Sequence, residues 1–106
     1  MSVFLNTGVG TFSPEVSYTA GRNTRAVALA DVDNNTSLDI MANNQGDYTA
    51  SVFLNNGSGS FASQLRFGAC RQPNDIAVAD LNADGQIDMT FSCGADSAMS
   101  VVLHRP

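Results

Sequence analysis

Asp31-Val32-Asp33-Asn34-Asn35-Thr36-Ser37-Leu38-Asp39 decides the reading of this chain, because it returns 49 residues later as Asp80-Leu81-Asn82-Ala83-Asp84-Gly85-Gln86-Ile87-Asp88. Both stretches carry oxygen-bearing side chains at positions 1, 3, 5 and 9. These are Asp31, Asp33, Asn35 and Asp39 in the first, and Asp80, Asn82, Asp84 and Asp88 in the second. Odd spacing in a tight loop turns alternate side chains inward, and the hard ion Ca²⁺ takes roughly six to eight oxygens in a flexible shell. The backbone carbonyls of Ser37 and Gln86, at position 7, would add to that shell. Each loop holds three carboxylates, so one Ca²⁺ leaves a net charge of about −1, whereas without a cation they repel one another.

Two other readings are open to these loops. An EF-hand needs a glutamate at position 12 and helical flanks. Position 12 is Ala42 in one loop and Phe91 in the other, and the flanks read as strands. An Asx-rich turn that satisfies only its own backbone is the plainer alternative. Two loops in the same register count against it.

Outward from the loops, the whole chain repeats. Ser2-Val3-Phe4-Leu5-Asn6 aligns with Ser51-Val52-Phe53-Leu54-Asn55, Gly8, Gly10 and Phe12 with Gly57, Gly59 and Phe61, and Ala28 and Ala30 with Ala77 and Ala79. Residues 2–50 and 51–99 form two gapless copies with 15 identical pairs, and a third copy begins at 100–106. Each copy predicts four short strands, rich in β-branched and aromatic residues and bounded by Gly, Asn, Asp and Ser. Strand one is expected at 26–32 and 75–81, and strand two at 38–43 and 87–92. Strand three is expected at 51–55, with 2–6 and 100–104 as its copies. Strand four is expected at 61–67, with 12–18 upstream. The Asn-Gly-rich links between strands three and four suit hairpins, because Asn and Gly tolerate positive φ. The alternating alanines of strand one suit a strand crowded by neighbouring sheets. A period of 40–50 residues with four strands is the mark of propeller blades. The expected fold is therefore all-β, two tandem four-stranded blades in one unit over 1–106, with a plain sandwich as the alternative.

These motifs (Val-Phe-Leu-Asn, Asn-Gly-x-Gly-x-Phe, Ala-Val-Ala-Asp and the acidic loop) resemble the FG-GAP/VCBS repeats, the blades of integrin α-subunit heads. The resemblance implies a propeller with Ca²⁺ held in the loop between strands one and two. By position it assigns Asp80, Asn82, Asp84, Gln86 and Asp88, and likewise Asp31, Asp33, Asn35, Ser37 and Asp39. The first loop departs at Thr36, where the family has the glycine seen at Gly85. A β-branched residue is disfavoured in a left-handed turn. The second site is therefore expected to be the better one.

Cys70 and Cys93 both fall in the second copy, while Gly21 and Asn44 stand at the equivalent places in the first. Their joint presence predicts a disulfide and an oxidising compartment. An extracellular location is expected, although Met1-Ser2-Val3 does not begin a signal peptide. Arg22 and Asp47 recur as Arg71 and Asp96, either as surface ion pairs tying two connectors or as a polar patch for a glycan.

The bulk properties narrow the function. The chain is 43% hydrophobic, 14% charged and carries a net charge of −5, with nine Asp, one Glu, five Arg and no Lys. It has a globular composition, a poor match for nucleic acid. No apolar run approaches the roughly 18 residues of a membrane span. The single histidine, His104, has no nucleophile suggested by spacing, so an enzyme is not expected. The expectation is a calcium-binding module for extracellular binding or adhesion to a glycan or protein. The alternative is a purely structural propeller fragment, or a designed self-assembling scaffold, with no ligand of its own. Two blades cannot cover their own faces, so the chain is expected either to be a fragment of a longer array or to assemble with copies of itself, as a trimer of six blades ahead of a tetramer of eight.

Overall fold

The computed structural model describes residues 1–94 and 98–102. Asp96, His104 and the rest of 103–106 lie outside the described residues. Among the described residues every regular element is an antiparallel strand: β1 (Ser2–Val3), β2 (Val16–Ser17), β3 (Thr24–Ala30), β4 (Asp39–Asn44), β5 (Thr49–Phe53), β6 (Leu65–Gly68), β7 (Pro73–Ala79), β8 (Asp88–Cys93) and β9 (Ala98–Val102). They form three sheets, β1-β2, β3-β4-β5-β6 and β7-β8-β9. Among the described residues only the middle sheet has the four strands expected of a complete blade; the last shows three, and the first shows the equivalents of a third and a fourth strand. No closed propeller is formed.

The pairing repeats at the interval read from the sequence. Ala28 faces Met41 and Ala30 faces Asp39, while Ala77 faces Thr90 and Ala79 faces Asp88. A register shift at Thr24/Ala26 returns at Pro73/Asp75. The isolated bridge Asn6–Phe12 returns at Asn55–Phe61. The hairpin glycines take the left-handed conformation expected of them, with φ of 91° and 84° at Gly8 and Gly10, and 94° and 88° at Gly57 and Gly59.

Several strand limits differ from expectation, for reasons visible in the hydrogen bonds. Strand one stops at Ala30 because the Val32 amide donates to the Asp39 carboxylate, 2.9 Å away. Strand three stops at Phe53 because the Asn55 amide donates to the other oxygen of Asp39, at 2.8 Å. Strand four is much shorter than 61–67, since Phe61 pairs only through a bridge and regular pairing starts at Leu65.

The core lies between the second and third sheets. Met41, Ala50 and Val52 meet Ile76, Met89 and Phe91, with Ala26, Ala28 and Ala30 packed at the edge of the cluster. Small side chains on β3 let β7 approach closely. Fully burying rings and thioethers such as Phe91 and Met41 contributes roughly 2–3 kcal/mol each. At the other side of the middle sheet the β1-β2 pair is held by Glu15, whose carboxylate accepts from the Ser2 and Ser17 hydroxyls. Those two bonds, Ser2 first, hold its carboxyl below the usual range. Tyr18 then sets its ring edge-on to Phe53 and Phe61, with centroids 6.1 and 5.5 Å apart.

Candidate metal centre

Each acidic loop joins the end of a strand one to the start of a strand two, so the hairpin itself brings positions 1 and 9 together. The first residue of each loop organises the turn. Asp31 accepts from the Asn35 amide (3.1 Å) and the Thr36 amide (2.7 Å), and Asp80 accepts from Asp84 (3.1 Å) and Gly85 (2.8 Å). Position 5 closes the next turn, with Asn35 accepting from the Ser37 amide and Asp84 from the Gln86 amide. Position 9 is fully buried in both copies, at Asp39 and Asp88. Asp88 accepts from the Leu81 amide at 2.8 Å, as Asp39 does from Val32.

The result is a knot of carboxylates at the same point of both hairpins. Asp31, Asp33 and Asp39 each offer an oxygen within 4.8 Å of the others, and so do Asp80, Asp84 and Asp88. The third carboxylate comes from position 3 in the first loop and position 5 in the second, with asparagine at the remaining place (Asn35 or Asn82). Oxygens this close suit one cation with metal–oxygen distances of about 2.3–2.6 Å. The crowding has an electrostatic mark. Burial, the charge of Asp39 and the neighbouring Asp31 carboxyl together hold the Asp33 carboxyl above the ordinary aspartate range. Asp31 lies below that range, because the Thr36 and Asn35 amides outweigh its burial.

Both loops require two left-handed residues. Position 6 has φ of 71° at Thr36 and 83° at Gly85, as expected from the glycine of the second copy. Position 4 has φ of 60° at both Asn34 and Ala83. The loops are therefore closer to equal than Thr36 alone suggests: the first has a favourable Asn34 and a poor Thr36, the second a favourable Gly85 and a poor Ala83. Left-handed backbone costs a residue with a Cβ roughly 1–2 kcal/mol, against a smaller entropic cost for glycine. Thr36→Gly is expected to raise stability by about 1 kcal/mol, read as an upward shift in the thermal midpoint. An unchanged or lower midpoint would show that Thr36 is not strained.

Asn55 was not expected at the site. Its backbone oxygen accepts from Asn35 Nδ2 (3.1 Å), its own Nδ2 donates to the Leu38 carbonyl (3.0 Å), and its Oδ1 caps the Gly57 amide. It straps the acidic loop to the hairpin between strands three and four. The identity of Asn6 and Asn55 across the repeat was the available signal.

At the opposite end of the sheets, Cys70 and Cys93 form the expected disulfide, with Cα atoms 5.7 Å apart. Asp47 does tie two connectors, but by accepting from the Arg22 backbone amide at 2.8 Å. The expected Arg22 side-chain ion pair is replaced by a long contact from Arg66, 3.9 Å from Asp47. The backbone donor is closer and fixed, so it takes the carboxylate. A cleft of about 310 Å³ opens between Tyr18, Phe53 and Phe61, rimmed by Ser17, Thr19, Ser63 and Gln64, with no charged residue in its lining.

The sequence model of the FG-GAP-like repeat matches residues 37–90, which span the end of the first acidic loop, the strands β4 to β7 and the whole second loop. No curated protein and no solved structure matches the chain. With half of its length covered, and with the paired hairpins and acidic knots in place, this chain belongs to the FG-GAP-like repeat family.

Proposed function

We propose that the chain is a calcium-binding propeller-repeat module of extracellular recognition or adhesion, and not an enzyme. The observation that carries this reading is the convergence of three carboxylates at the same point of two equivalent hairpins. Asp31, Asp33, Asn35 and Asp39 would hold one Ca²⁺, and Asp80, Asn82, Asp84 and Asp88 another, with the Ser37 and Gln86 carbonyls completing each shell. The ion would neutralise the knot and lock strand one to strand two. The disulfide supports an oxidising compartment and with it a secreted location. Recognition of a glycan or protein is assigned to the connector end that carries Arg22, Arg71 and Asp47, with Asp96 as the sequence partner of Asp47. The uncharged aromatic cleft offers a second place for a neutral ligand. A homo-oligomer is part of this reading.

Calorimetric titration with Ca²⁺ tests it. Two ions per chain are expected, and an ion at 100 times its dissociation constant adds about 2.7 kcal/mol per site. Chelator should then lower the thermal midpoint by several degrees. No heat of binding and no shift with chelator would overturn the calcium reading. The purely structural alternative is favoured by the exposed apolar residues on the sheet faces, and a stable assembly that binds no glycan or protein would decide for it.

A further inference from the structure

One interface inside the chain is fully built, and both of its halves are displayed a second time with no partner among the described residues. In the built interface β7 packs against β3 and β4. Ile76 and Val78 of one sheet enter the core that is edged by Ala26, Ala28 and Ala30 of the other. Moving back 49 residues, Ile76 and Val78 become Val27 and Leu29, which are 54% and 57% exposed. Moving forward 49, Ala28 and Ala30 become Ala77 and Ala79, which are also exposed. The open face of β3 is thus the equivalent of a face the chain already buries. The surface that buries it is repeated on β7.

We propose that this chain associates head to tail with a second copy of itself, the Arg25-Val27-Leu29 face of one copy packing on the Asp75-Ala77-Ala79 face of the next. The proposal deepens the self-association named above and rests on it. Continuity with the built interface names the occupant, and charge sets the orientation. In the built interface the place of Arg25 is taken by Asn74, which accepts from Gln45 Nε2 at 2.6 Å across the two sheets. The place of Asp75 is taken there by Ala26. Between copies, the two patches that face one another carry opposite charges, Arg25 on one and Asp75 on the other. Asp75 commits one oxygen to the Ile76 amide, and its other oxygen, with no hydrogen-bond partner among the described residues, is open to Arg25. The two patches differ, so the contact is heterologous and propagates from copy to copy.

The strands at the two edges fit the same arrangement. β9 is the open edge of its sheet, and β1 and β9 are both equivalents of β5. Docking asks both to fill one position. β9 holds to β8 over five residue pairs, whereas β1 holds to β2 over two. β1 therefore yields, and β2 pairs with β9 of the neighbouring copy, Val16 opposite Val101 and Ser17 opposite Ser100. That register copies Val52 opposite Leu65 and Ser51 opposite Arg66. Among the described residues that sheet has three strands, and the neighbour's β2 would stand as a fourth.

Light scattering on the intact 106-residue chain reads the result. A discrete mass that is a whole multiple of 11.1 kDa is expected. Val27→Asp should give a monomer. Arg25→Asp and Asp75→Arg should each weaken association about tenfold or more by placing like charges together, and the double variant should restore it. Removing residues 1–5 should leave association intact or tighten it. A monomeric wild-type chain, a Val27→Asp assembly of unchanged mass, or a double variant no tighter than the singles would overturn the proposal. Calcium titration of Val27→Asp separates the two readings. Two ions bound by a monomeric wild type would sink the interface alone, and an assembly without calcium would sink the metal reading alone.

Discussion

Asp39→Ala is expected to lower the unfolding free energy by about 3 kcal/mol even in the presence of chelator. Asp39 is fully buried, and its two oxygens accept from the amides of Val32 and Asn55, which end strands one and three. Alanine leaves both donors without an acceptor, and each abandoned buried donor costs roughly 1–3 kcal/mol. It also opens a small void beneath the acidic loop. Asp39→Asn is the informative companion. Its amide offers one acceptor and turns a donor toward the second N–H, so roughly half of the loss should remain. Calcium should widen the gap between wild type and both variants, because the ligand set has lost a carboxylate. Urea unfolding in calcium and in chelator measures all of this. A full loss in calcium but none in chelator would show that the carboxylate serves only the ion. Asp88→Ala should follow the same course through the Leu81 amide.

This double duty of Asp39 explains what was and was not legible in the sequence. The repeat foretold the number and order of strands, because identical spacing forces identical registers, but not where the surplus strand pairs: β1 lies on β2 and β9 on β8. The acidic loops were legible for the same reason: odd positions in a hairpin converge, and the structure brings Asp31, Asp33 and Asp39 together as read. The ends of the strands were not legible. They depend on a carboxylate seven residues from Val32 and sixteen from Asn55 competing for amides that a β ladder would otherwise use. Nor did the pattern show that position 4 must be left-handed, since Ala83 gives no hint of it. The Arg22–Asp47 pair was found by recurrence, but recurrence could not say that the donor is a backbone amide. Side-chain charge suggested an ion pair, and geometry supplied something shorter.

The second large effect concerns the disulfide, and the first copy of the repeat explains why. Cys70→Ser with Cys93→Ser is expected to cost about 3 kcal/mol, the loop-closure entropy of a bridge spanning 23 residues. In the first copy the same joint is made without a covalent bond. Asn44, fully buried, accepts from the Gly21 amide at 3.0 Å and from the Thr24 hydroxyl at 3.1 Å. It donates to the hydroxyls of Thr49 and Ser51 at 3.2 and 2.8 Å. A Cβ on Gly21 would lie 2.5 Å from the Asn44 side chain, so the glycine is what lets the asparagine reach the connector. Gly21, Thr24, Asn44 and Thr49 become Cys70, Pro73, Cys93 and Ala98 in the second copy. Four positions change together, from a hydrogen-bonded hub to a covalent bridge. The two solutions should therefore fail as units. Cys93→Asn alone lacks the two threonine hydroxyls, because Pro73 and Ala98 stand at those places, and it meets a Cβ at Cys70 where Gly21 leaves room, so it should be no more stable than Cys93→Ser. Adding Cys70→Gly, Pro73→Thr and Ala98→Thr supplies the missing donors and acceptors and should recover at least half of the loss. Thermal unfolding of the four variants, with reductant as the control on wild type, decides the matter. If the fourfold variant is no better than the double serine variant, the hub and the bridge are not alternatives for one joint. Reductant should then lower the midpoint of the wild type and leave the recovered fourfold variant untouched.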